Sequence, residues 1–85
     1  MVWKIKWTDA ALNQLKKIQD QIQKRIFKKL DEIVDDPFVY VERLIGQNLY
    51  KLRVGDYRVL MTLENNKMIV WVVEVGHRSK IYDRH

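Results

Sequence analysis

Cysteine is absent from the chain. Its absence excludes disulfide staples and thiolate metal sites, and it fits a reducing cytoplasm. Histidine occurs only as His77 and His85, too few without cysteine for a zinc site. No metal and no other cofactor is expected. Proline occurs once and glycine three times, so there is no linker and no low-complexity tract. No apolar run approaches the roughly 20 residues that span a bilayer. The first seven residues alternate in polarity, unlike the continuous apolar centre of a secretion signal. The expectation is a cytoplasmic protein with no membrane partner. A Gly-rich phosphate loop and a Ser-His-Asp set are missing as well.

What remains is a folded chain with a basic bias. Its 85 residues, 47% hydrophobic and 32% charged, suit one ordered domain over residues 1–85. A chain of this size buries only about 60–65% of its unfolded surface, so its core is thin. The net charge of +5 is unevenly placed. Residues 8–36 balance six basic side chains against six acidic ones. Residues 37–85 carry eight against five, and Lys4 and Lys6 supply the rest. The excess therefore lies outside the helical segment, where a basic surface attracts polyanions.

Periodicity gives the elements. Residues 2–7 alternate, with Trp3, Ile5 and Trp7 on one face, which predicts a strand. Thr8 or Asp9 can cap a helix carrying Leu12, Leu15 and Ile18. Asp20 is placed as a second N-cap, with Gln23 completing a capping box. Ile22, Ile26, Leu30 and Ile33 continue at helical spacing. The two segments form either a helical hairpin or one helix kinked near Asp20. Asp36-Pro37 ends the second, because a residue before proline avoids the α region. Residues 38–48 carry no clear pattern. Three strands follow, over 49–54, 57–64 and 67–75. Gly55-Asp56 and Asn65-Asn66 are read as two-residue hairpin turns. The fold class is α+β: an N-terminal strand, a two-helix hairpin, then a three-strand antiparallel meander with the helices on one face. The first strand adds to an edge whose identity stays open.

Two-residue turns also set the register. Val54 pairs with Tyr57 and Arg53 with Arg58. Glu64 pairs with Lys67, which sets Val59 opposite Val72. One face then carries Leu52, Val54, Tyr57, Val59, Met61, Leu63, Met68, Val70 and Val72, and the helices should cover it. Glu74 falls on this face beside Tyr57. The other face carries Lys51, Arg53, Arg58, Leu60, Thr62, Ile69, Trp71, Val73 and Val75. There, Arg53 and Arg58 are directly opposed. At about 5 Å and an effective dielectric near 20, two like charges repel by roughly 3 kcal/mol. Either they splay into water, or they converge with Lys51 on an anion. Beyond the last strand, Gly76 turns the chain away, and His77, Arg78, Lys80 and Tyr82 follow. Cations beside an aromatic that can stack on a base suit phosphodiester cleavage.

These motifs resemble a known family. Leu49-Tyr50-Lys51-Leu52-Arg53-Val54-Gly55-Asp56-Tyr57-Arg58-Val59 resembles the central signature of the RelE/ParE toxin superfamily. Val75-Gly76-His77-Arg78 followed by Tyr82 resembles its C-terminal signature. Trp7-Thr8-Asp9-Ala10-Ala11 and Asp36-Pro37 fall where the family begins and ends its helices. The resemblance implies a RelE-like fold and a metal-independent endoribonuclease that cuts mRNA in the ribosomal A site, leaving a 2′,3′-cyclic phosphate. It implies Lys51 as base or phosphate contact and Arg58 as stabiliser of the scissile phosphate. Arg78 would assist the leaving group, Tyr82 would stack on substrate, and His77 would be a secondary acid–base candidate. Arg53 and Lys80 are the expected further RNA contacts. Relatives with a Lys-x-Lys pair before this signature carry a cation where this chain has Leu49.

The resemblance also implies partners. A RelB-type antitoxin would wrap the toxin, seated on Leu60, Ile69, Trp71 and Val73. Operator DNA would be bound only through the toxin–antitoxin complex. Two other readings stand beside this one: a ParE-like DNA gyrase inhibitor acting by protein contact, and a nucleic-acid-binding module without catalysis.

Overall fold

Short-range signals place the first elements of the computed structural model, which describes residues 2–84 and side chains as far as Ile81. Strand β1 spans Lys4–Trp7 and helix α1 spans Asp9–Lys16. Thr8 caps α1: its side chain accepts from Ala11 N at 3.2 Å, and its hydroxyl donates to Val72 O at 3.3 Å. The cap thus ties the helix start to the sheet. Trp3 lies outside β1, and its N–H donates to Val34 O at 2.8 Å.

Helix α2 (Asp20–Ile33) is separate from α1, so the chain forms two helices and not one kinked rod. Its N-cap is Gln19, without a side-chain cap bond. Asp20 is instead the first helical residue, where its charge complements the helix dipole. Gln23 reaches back to Ile18 O at 2.8 Å, so the expected capping box does not form. Pro37 opens a short helix α3 (Pro37–Tyr40) at its first turn, where its missing N–H costs nothing.

Residues 42–77 build the rest of the sheet: β2 (Glu42–Arg43), β3 (Tyr50–Val54), β4 (Tyr57–Glu64) and β5 (Ile69–His77). The order is β1-β5-β4-β3-β2. β1 pairs in parallel with β5, while the other neighbours are antiparallel. The expected meander is present, and β2 extends it within the segment that showed no sequence pattern. Gly55, at φ +59°, makes the tight β3–β4 turn.

The second turn differs from expectation. Glu64 pairs with Ile69, so residues 65–68 form a four-residue connection. The left-handed position falls on Met68 (φ 55°), not on an asparagine. Met68 packs against the core and its carbonyl accepts from Lys4 N at 2.9 Å. Those contacts hold a conformation that costs a non-glycine residue about 1–2 kcal/mol. A bulge between Leu60 and Met61 shifts the register again: Met61 faces Val72, but Leu60 faces Glu74.

Ala11, Leu15, Ile26, Leu30 and Ile33 from the helices pack on Leu52, Val54, Val59, Met61, Val70, Val72 and Val75 from the sheet. Each such aliphatic side chain contributes roughly 1.5–3 kcal/mol on burial. Val75 belongs to this core and not to the opposite face, because the bulge reverses the alternation of β5 beyond it. The last helix, α4 (Arg78–Arg84), packs on β4 and β5. Among the described residues, no helix is long and apolar enough to cross a membrane.

Candidate functional site

Two rows of side chains cross the sheet face opposite the core. Arg53, Arg58 and Gly76 form one row across β3, β4 and β5, and Lys51, Leu60 and Glu74 form the next. Residues directly opposite in a ladder share a face, so Lys51, Arg53, Arg58 and Glu74 lie on one side. The opposition of Arg53 and Arg58 is as expected. Glu74 is not where the alternation put it: the bulge moves it from the core face to the cationic one.

Lys51 and Arg58 are 8% and 5% exposed, which is rare for cations. A buried charge is costly unless its hydrogen-bonding groups are satisfied. Arg58 Nη1 donates to Gly55 O and to Tyr57 O, both at 2.8 Å. The guanidinium therefore caps the hairpin tip that precedes it. Lys51 Nζ lies 3.7 Å from Glu42 Oε2, and Arg53 Nη2 lies 3.7 Å from Glu42 Oε1. Glu42 sits opposite Lys51 in the β2–β3 pairing, so the ladder itself delivers the carboxylate. Periodicity could not have found it, because a two-residue strand has no alternation to read.

Arg78 joins the same hairpin tip. Its N–H donates to Asp56 O at 2.8 Å, and its Nε lies 3.9 Å from Asp56 Oδ1. Arg58 and Arg78 are thus anchored on adjacent turn residues, Gly55 and Asp56. Gly76 does not turn the chain away; β5 runs through it to His77. Ile81 of α4 packs beside Gly76 and is 2% exposed.

His77 is separated from this group. It pairs with Tyr57 on the core side of the sheet, and the two rings meet edge to face at 5.5 Å. Its Nδ1 lies 2.9 Å from Ser79 Oγ and accepts from Ser79 N at 3.2 Å. With Lys17, Tyr57 and Lys80 it lines a cleft of about 220 Å³. His77 and Lys80 are therefore grouped with each other and not with Arg58. The side chain of Tyr82 lies outside the described residues.

The apolar part of the face is only partly accessible. Ile69 and Trp71 are half-buried, on the rows that carry Lys4 and Lys6. Trp71 Nε1 donates to Glu64 Oε1 at 2.8 Å, and Lys6 Nζ lies 5.5 Å from the indole centroid. Val73 sits at the bulge, between the Met61–Val72 and Leu60–Glu74 pairs. Leu60, expected in the antitoxin seat, is instead fully buried and lies outside the main core. It is an internal residue of this face, not part of an exposed groove.

Fixed cations without a mobile arm are what stabilising a developing phosphorane charge requires. A nearby carboxylate adds a proton acceptor. Comparison with known proteins identifies the family and the fold. Residues 5–82 match the family described as the ParE toxin of type II toxin–antitoxin systems. The mRNA interferase toxin RelE of Escherichia coli K12 is 29% identical over 96% of this chain and 92% of its own. A toxin–antitoxin complex, RelBE2 of Mycobacterium tuberculosis, contains a chain that superposes with a TM-score of 0.83 at 20% identity, covering 92% of this chain and 100% of that one. The intact RelBE toxin–antitoxin complex of E. coli gives 0.74 at 26% identity, over 88% and 95%.

Proposed function

The chain belongs to the ParE toxin family of type II toxin–antitoxin systems, and we propose that within it this protein is an endoribonuclease that cleaves mRNA in the ribosomal A site. The observation that carries this reading is the group of cations on adjacent rows: Lys51 and Arg58 buried on one sheet face, with the Arg78 backbone anchored at the hairpin tip that holds Arg58. The relationship to an mRNA interferase supports it.

The reaction balances without metal. The 2′-oxygen attacks the adjacent phosphorus and loses its proton; the bond from phosphorus to the 5′-oxygen breaks; that oxygen gains a proton. The products are a 2′,3′-cyclic phosphate and a 5′-hydroxyl. Arg58 stabilises the charge that builds on the phosphoryl oxygens. Lys51 contacts the phosphate or assists removal of the 2′ proton, and Glu74 is the nearby carboxylate that can accept it. Arg78 assists the departing 5′-oxygen, Tyr82 stacks on a base, and Arg53 holds a flanking phosphate. His77 and Lys80, on their separate cleft, are assigned to RNA contacts outside the reacting bond.

A RelB-type antitoxin silences the toxin in the cytoplasm by covering this face, with Ile69, Trp71 and Val73 as its apolar seat. The pair binds operator DNA as a complex. Mapping mRNA 5′ ends in a translating extract, with and without the protein, tests the reading. New ends at codons held in the A site are expected. Intact mRNA together with inhibited DNA gyrase would replace it with a gyrase-poisoning function.

A further inference from the structure

A second cationic feature lies at the junction of α2 with the β3–β4 hairpin tip. Arg25, Lys28, Lys29 and Glu32 of α2, with Arg53, Val54 and Gly55, line a cleft of about 340 Å³. Helical spacing explains the gathering: positions 25, 28, 29 and 32 lie three or four apart and share one helix face. The acid of the set, Glu32, is already within 3.4 Å of Lys29. Among the described residues, no ion pair involves Arg25 or Lys28. The helical segment is neutral as a whole, but this face of it is not.

The lack of a side chain at Gly55 lets Arg25 come close to the hairpin. A Cβ there would stand 2.9 Å from Arg25 Nη2 and 3.1 Å from Nη1. The carbonyl of the same glycine accepts from Arg58 at 2.8 Å. Two guanidinium groups, one from α2 and one from the site face, thus meet a single turn residue. Arg53 also borders the cleft while facing Arg58 across the ladder. Cleft and candidate reaction site are contiguous around the hairpin tip.

We propose that this cleft is a second backbone-phosphate site, taking a phosphodiester of RNA that lies outside the reacting bond. The proposal rests on the RNA-cleaving reading for its choice of ligand. The lining favours RNA over an acidic protein partner: Val54 is its sole aliphatic residue, whereas a protein interface needs apolar anchors at its centre. Its place beside Arg53 and Arg58 lets one strand follow the hairpin tip from the cleft to the reacting phosphate.

The test is equilibrium binding of a labelled single-stranded RNA oligonucleotide to the full chain over a series of salt concentrations. Arg25→Gln combined with Lys28→Gln should weaken binding on the order of tenfold and lower the slope of log K against log salt by about 0.7 for each phosphate that is no longer neutralised. Lys28→Gln alone, which leaves Arg25 seated against Gly55, should show part of the same effect. Lys16→Gln combined with Lys67→Gln removes the same charge elsewhere and should have a much smaller effect. Equal weakening by the two pairs would overturn the proposal, because bulk charge would then account for it. Unchanged RNA binding would also overturn it, and weakened antitoxin binding in that case would assign the cleft to an acidic protein. Cleavage plays no part in the readout. RNA that is bound through the cleft but never cut would refute the enzymatic reading and leave the cleft standing.

Discussion

Arg53 and Arg58 face each other across the β3–β4 ladder, yet their guanidinium groups part company: Arg53 turns outward to Glu42 at 3.7 Å, and Arg58 turns back to Gly55 O at 2.8 Å. Distinct acceptors resolve the like-charge opposition and leave Arg58 rigid. Arg58→Ala should therefore lower cleavage by about 100-fold or more, read as mRNA ends produced per unit time. Cleavage at the parent rate by a variant with a native circular dichroism spectrum would sink the assignment.

Glu42 pairs with both Lys51 and Arg53, so under the proposed function it competes with the RNA phosphate for them. The exposed Arg53–Glu42 pair is worth about 0.2–1 kcal/mol, so its loss in Glu42→Gln should tighten RNA binding by a factor of up to about five. Fluorescence anisotropy with labelled RNA measures this. Weaker binding would mean that the carboxylate helps to organise the site.

Leu60 is fully buried on the site face, apart from the main core. Leu60→Ala should cost about 2–5 kcal/mol through reduced burial and a residual cavity. Denaturant unfolding reports it as a lower midpoint. An unmoved midpoint would show that this face contributes little packing to the fold.

Trp71 is half-buried and steadied by Glu64 and Lys6. A large aromatic held in place makes an interface anchor, and truncating such an anchor costs about 2 kcal/mol or more. Trp71→Ala should weaken the cognate antitoxin's affinity on the order of 30-fold, measured by titration calorimetry. Undiminished affinity would move the antitoxin's seat elsewhere.

Much of this was legible in the sequence because the signals are local. Thr8 caps where a hydroxyl before an apolar helical stripe should cap, and Gly55 turns where a residue of positive φ is needed. The Arg53–Arg58 opposition follows from that turn alone. What escaped depends on distant pairing. Asn65-Asn66 advertises a turn but not its length, and tertiary packing of Met68 chose four residues over two. The bulge at Leu60 was hidden because alternation counts residues, not hydrogen bonds. One clue was present: unbroken alternation put Glu74 on an apolar face and Val75 on the open one, a polarity mismatch that one extra residue in the strand repairs. Glu42 and the return of α4 over the sheet left no periodic trace.

The pairing of Lys4–Trp7 with Ile69–Val72 joins segments made at very different times in synthesis. Contacts so remote in sequence must await the later partner. A nascent chain cannot complete its sheet while β5 is still inside the ribosome, so the cationic face is assembled only after synthesis has moved past that strand.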